Sequence, residues 1–142
     1  MSKAWKIIAY LACVSMAGLA IAVYALFHGY FDRGHFEIKQ FQWSSTKQVA
    51  MLAERWDDQA LGGLADFVLV GNHVFTPAEL RHAYYSDAVV FNAETDCLTL
   101  RWDGPNRLII RCNGATLDFR HINAENQQVG NVAVSYENIA SK

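Results

Sequence analysis

Residues 7–27 of this 142-residue chain run without a single charged side chain. As an α-helix the run has the length that crosses the roughly 30 Å hydrocarbon core of a bilayer. A cleavable secretory signal is the first competitor, since Lys3 and Lys6 form a basic flank and Ala20-Ile21-Ala22 fits a small-x-small cleavage pattern. The apolar run continues past that cut to Phe27, which favours an uncleaved anchor. A lipoprotein reading through Leu11-Ala12-Cys13 fails on its short apolar lead and on Tyr10, so Cys13 is read as an ordinary small residue of a membrane helix.

The expected organisation is a short flank over residues 1–6, a transmembrane helix with its interfacial end over 7–31, and a soluble domain over 32–142. Lys3 and Lys6 lie nearer the span than Arg33, Lys39 and Lys47, a slight bias towards a cytoplasmic N-terminus. In a bacterial inner membrane, that single-pass topology puts the domain in the periplasm. Ser15, Gly18, Ala22, Ala25 and Gly29 recur at alternating spacings of four and three, forming a seam of small side chains along which a partner helix or a second copy can approach closely.

From residue 28 onward, ten Lys/Arg stand against fourteen Asp/Glu, a formal charge of −4, so no basic footprint for nucleic acid is offered. With two prolines, no repeat and no low-complexity tract, this part reads as one domain. Residues 36–43 suggest an irregular strand, because Phe36 and Ile38 fall on one parity and Phe41 and Trp43 on the other. Ser45 and Gln48 have capping-box spacing, and Val49, Leu52, Ala53, Trp56 and Ala60 then share a helical face ended by Gly62-Gly63. Residues 67–70 read as a strand, turning at Gly71-Asn72 into Val74-Phe75. A second helix starts with Thr76 as cap, Pro77 at the first position, Glu79 closing a capping box and Phe75 stapled to Leu80.

Beyond residue 88 the period changes to two. Strands at 89–91, 98–102, 108–112, 116–122 and 132–136, with turns at 103–106 and Asn113-Gly114, suggest an antiparallel meander of four to five strands. The expected class is α+β, two helices packed on that meander behind the membrane helix. Pairing Trp102 with Leu108 and Leu100 with Ile110 gathers the apolar residues on one face and turns Thr99, Arg101, Arg111, Asp118 and Arg120 outward. A register one residue away would set Cys97 opposite Cys112. The two exclude each other in a regular ladder, so the expectation is the patterned register with Trp102 buried and the cysteines unjoined.

Motifs of chemistry are sparse. None of the five histidines has the spacing of a metal pair; Glu79-x-x-His82 lacks the second copy a di-iron site needs, and Glu79 is better explained as the capping acid. There is no G-x-S-x-G elbow and no phosphate loop, and Asp57-Asp58 reads as a solvated pair. No catalytic residue, metal or cofactor is therefore expected. Arg81, His82 and Tyr85 join Arg101, Arg111, Asp118 and Arg120 as a candidate partner surface. Trp56, Trp102, Phe119 and His121 are the candidate lining of an apolar ligand pocket. The element order is similar to that of exported domains in some secretion-system and envelope-complex subunits and to small cone-shaped ligand-binding domains, a likeness that carries no residue across. The leading expectation is an anchored accessory or assembly subunit of an envelope complex acting through protein contacts. The alternative is an anchored module binding a small ligand between helices and sheet.

Overall fold

The apolar run forms α1 (Lys3–Phe27), a 25-residue helix with no buried residue, long and apolar enough to cross a membrane. The computed structural model describes residues 3–27, 33–57 and 63–140, so Gly29 of the seam and Asp58, Ala60 and Gly62 lie outside the described residues. The chain divides into two units, Met1–Asp32 and Arg33–Lys142.

In the second unit, five strands make an antiparallel sheet, here sheet A: β1 (His35–Trp43), β2 (Val49–Trp56), β3 (Ala65–Gly71), β4 (Phe91–Ala93) and β7 (Ile122–Glu125), in the spatial order β1-β2-β3-β4-β7. Sheet B contains β5 (Leu98–Trp102), β6 (Arg107–Cys112), β8 (Gln128–Val129) and β9 (Val132–Glu137), in the order β5-β6-β9-β8. One helix of the unit, α2 (Pro77–Tyr84), covers the outer side of sheet A. The class is α+β, but the layers are helix, sheet, sheet, and the second unit has one described α-helix where two were expected.

The missing helix is β2. Val49, Ala50, Met51, Leu52 and Ala53 are all buried, because alternate side chains enter two different cores. Val49, Met51 and Ala53 face α2 with Phe67, Leu69 and Leu80. Ala50 and Leu52 face sheet B with Val68, Phe91, Leu100, Leu108 and Ile110. A strand buried on both sides reads as a continuous apolar run, which also fits a helix face. The polar residues before it make a turn rather than a cap: Ser44 N–H donates to Gln48 O at 2.7 Å, and Ser44 Oγ accepts from Gln48 N. Hydroxyl side chains serve either role.

β1 carries a bulge at Lys39, between the pairs Ile38↔Ala53 and Gln40↔Leu52. The extra residue restores the phase, so Phe36, Ile38, Phe41 and Trp43 all lie on the α2 side of sheet A. On the opposite side, the Gln40 amide closes the sandwich. It donates to Leu100 O and accepts from Leu100 N, both at 3.2 Å, and the Trp102 indole donates to Gln42 O at 2.8 Å. The outer edge of β5 is thereby covered.

Gly71-Asn72 leads into α2, not into a hairpin, and Val74-Phe75 is not a strand. The cap, the early proline and the capping box of α2 are realised: Thr76 Oγ1 accepts from Glu79 N, and the Glu79 carboxylate accepts from Thr76 N at 2.7 Å. The expected meander is also replaced. After Gly114, which adopts a positive φ of 100°, the chain does not return beside β6. Residues Phe119–His121 form a 3-10 turn capped by Asp118, and β9 takes the place beside β6 in parallel. Val132 and Val134 thus join the inner face beside Leu108 and Ile110, while Leu117 is buried in the same core and Phe119 is exposed.

β5 and β6 pair in the patterned register, Leu98↔Cys112, Leu100↔Ile110 and Trp102↔Leu108. Cys97 and Cys112 are nonetheless joined by a disulfide, with Cα atoms 4.9 Å apart, which corrects the expectation that they stay apart. Cys97 lies one residue before β5, where strand alternation no longer fixes its side chain, while its carbonyl still accepts from Asn113 N at 2.8 Å. Trp102 is half-buried, not buried.

Candidate interaction surface

Alternation in sheet B sends Leu98, Leu100, Leu108, Ile110, Val132 and Val134 inward, so Thr99, Arg101, Arg107, Ile109, Arg111, Ser135 and Glu137 form its outer face. Arg101 and Arg107 stand 59% and 56% exposed and share Asp103, at 4.0 and 3.6 Å. Arg101 also reaches Glu137 at 3.6 Å, and Arg107 Nε donates to Ser135 Oγ at 3.3 Å. Arg111 is exposed and has no ion pair among the described residues. Between the three arginines Ile109 is only 4% exposed, in the middle of a face otherwise polar. Three guanidinium groups against two carboxylates leave a positive surplus on this face. Arginine forks of this kind bind carboxylates in two-point contacts and are common in protein interfaces.

Of the expected partner surface, Arg101 and Arg111 share this face. Arg107 belongs there too and was missed, although Arg107, Ile109 and Arg111 alternate in sequence. Asp118 and Arg120 lie elsewhere, paired at 2.7 Å across the 3-10 turn; hydrogen bonds from the Arg120 side chain and backbone hold the Asp118 carboxyl down at about 2. Arg81 is half-buried: it donates to Gly34 O at 2.8 Å and lies over the Phe36 ring, tying the start of β1 to α2. His82 is exposed on α2 beside a cavity of about 580 Å³ lined with His73, Phe75, Ala78, Glu79 and Ala83. Tyr85 caps the C-terminal end of α2 and meets Tyr84 edge to face.

The four residues of the expected apolar pocket are not brought to one cavity. Trp56 stacks on His35 at 4.4 Å and lines a cavity of about 400 Å³ with Phe36, Glu37, Ala78 and Arg81. Trp102 is bonded to β1, and Phe119 and His121 are exposed on the 3-10 turn. In α1, Ser15, Gly18, Ala22 and Ala25 keep their helical alignment; Ser15 Oγ donates to Ala12 O at 2.9 Å, and the space beside Gly18 is open.

Titratable groups outside the arginine face act locally. The Thr76 amide, His73 and the Thr76 hydroxyl hold the Glu79 carboxyl down at about 2, so this acid serves the helix cap. Asp66 is fully buried in β3. Burial holds its carboxyl up at about 6, against the pull of Lys39, whose ammonium lies 3.0 Å away and also 3.1 Å from Glu54. Burial alone would lower the Lys39 pKa, but those two carboxylates raise it. No group of three or more His, Cys, Asp or Glu among the described residues is arranged to hold a metal ion. The two-helix-plus-meander order behind the likeness to envelope subunits is not the one the chain adopts. No protein family, curated protein or solved structure matches the chain.

Proposed function

We propose that this chain is a membrane-anchored accessory or assembly subunit of an envelope complex, which works by holding an acidic partner on the outer face of sheet B. The observation that carries the reading is the row Arg101, Arg107 and Arg111 on an exposed face whose inner side is core. Two features support the setting. The apolar helix α1 suits a single-pass anchor, with the N-terminus cytoplasmic and the domain periplasmic, and its small-residue line suits a partner helix. The Cys97–Cys112 disulfide suits an oxidising compartment such as the periplasm.

Purification of the intact chain from mild detergent, followed by mass spectrometry of what accompanies it, tests the reading. Replacing Arg101 and Arg111 by glutamate should remove the partner while leaving the fold unchanged, because both side chains are exposed and surface substitutions cost little, within about 0.5 kcal/mol. Equal recovery of the same partner with the charge-reversed chain would move the contact off this face.

A further inference from the structure

The bulge at Lys39 has a consequence for the surface of the domain. Without it, Phe41 and Trp43 would turn to the sandwich side; with it, they extend the stripe begun by Phe36 and Ile38. α2 covers only the first half of that stripe, since Phe36 meets Tyr84 and Arg81 and Ile38 packs into the core beneath the helix. An eight-residue helix is about 12 Å long, whereas nine residues of strand extend about 30 Å. Phe41 and Trp43 are left 50% and 49% exposed and join neither core; Val74, after β3, is exposed as well.

We propose that Phe41 and Trp43, with Val74, seat the domain on a lipid surface, the interfacial region of the bilayer that α1 crosses, an inference that rests on the anchored reading above. Size favours lipid over protein. The two rings offer on the order of 200 Å² of surface, well short of the roughly 800 Å² that each partner contributes to a stable protein interface. A lipid surface needs far less intrinsic affinity, because the chain that carries the patch also carries the anchor, and tethering supplies the effective concentration. Reach is sufficient: eight peptide steps separate Phe27 from His35, at most about 28 Å when extended. Chemistry agrees, since Trp and Phe are the side chains that settle at the headgroup boundary. The Trp43 indole has no hydrogen-bond partner among the described residues, and Lys47, in the turn that follows, adds an exposed cation suited to phosphate.

The test uses the full chain labelled with 5-fluorotryptophan in phosphatidylcholine nanodiscs, with and without a gadolinium-chelating lipid. The Trp5 fluorine reports insertion of α1, and the Trp43 fluorine reports the patch, so a failure of the anchor and a failure of this proposal are told apart. Loss of both signals is expected, with recovery of the Trp43 signal in a Phe41→Ser, Val74→Ser chain whose Trp102 fluorine shift certifies the fold. If that variant does not fold, Val74→Glu alone serves, with partial recovery expected. A Trp43 signal that survives the gadolinium lipid while Trp5 is lost overturns the proposal, as does equal loss in the folded variant. A Trp43 shift that appears only with two copies in each disc, without the gadolinium lipid, also overturns it and assigns the patch to self-association.

Discussion

Sheet A, with five strands, and sheet B, with four, are opposite in how they meet solvent. The central strands of sheet A are covered twice, by α2 on one side and by sheet B on the other, and Phe67, Val68, Met51 and Leu52 are each no more than 2% exposed. Sheet B is covered once, and its outer face keeps the alternation of a half-solvated sheet, with Arg107 and Arg111 flanking Ile109. A sheet with one wet face announces itself in sequence and retains residues for contact. A sheet with two dry faces does neither, because every position is needed for packing.

If that contrast is right, the largest loss should come from sheet A. Phe67→Ala should cost about 3–5 kcal/mol in chemical unfolding of the detergent-solubilised chain, whereas Ile109→Ala, on the outer face opposite Arg101 and Ser135, should cost about 2 kcal/mol or less. Equal losses would make the outer face of sheet B a second core and break the comparison.

The disulfide sharpens it from the other side, since Cys97–Cys112 ties the start of β5 to the end of β6 and so links two neighbouring strands of sheet B. Cys97→Ser with Cys112→Ser should cost about 2–4 kcal/mol. Hydrogen exchange should quicken first in β5 and β6 while the amides of β2 and β3 stay protected. Uniform loss of protection would show that the two sheets open as one unit.

The smallest expected effect is the pH dependence set by Asp66. Its folded pKa of about 6 lies above the ordinary 3.8, so the folded chain binds this proton more tightly than the unfolded one. This group therefore costs stability progressively as pH rises from about 4 to about 6, and the cost stays constant above that window. Glu79 and Asp118, held down at about 2, act oppositely: their contributions are full above the ordinary carboxylate range and fade as pH falls towards 2. Unfolding midpoints measured from pH 4 to 7 should flatten in an Asp66→Asn chain. An unchanged slope would remove Asp66 as the cause.

Some of this organisation was legible in the chain. Thr76, Pro77 and Glu79 specify the start of α2 because a capping box is satisfied by neighbours in sequence. Leu98, Leu100 and Trp102 opposite Cys112, Ile110 and Leu108 were readable because the strands are consecutive and alternate. Arg101 and Arg111 followed from that register, and Arg107 should have followed with them. β2 was not legible, because Val49–Ala53 faces two cores at once and its period is erased. The meander failed because Asn113-Gly114 specifies a turn but not which strand returns beside β6.

By itself, then, the sequence determined the features whose causes are local: the apolar helix α1, the cap of α2, the β5–β6 register and the outward arginines. Tertiary structure decided whatever depends on distant partners. It made residues 49–56 a strand by supplying a sheet on one side and a helix on the other, and it set β9 parallel to β6 because Val132 and Val134 fill that inner face. It also brought Cys97 to Cys112 at a strand end where alternation lapses, and it left Phe41 and Trp43 bare by making α2 too short to cover them. Local hydrogen bonds and periodicity are written in adjacent residues, whereas the second face of a sheet is supplied by segments tens of residues away.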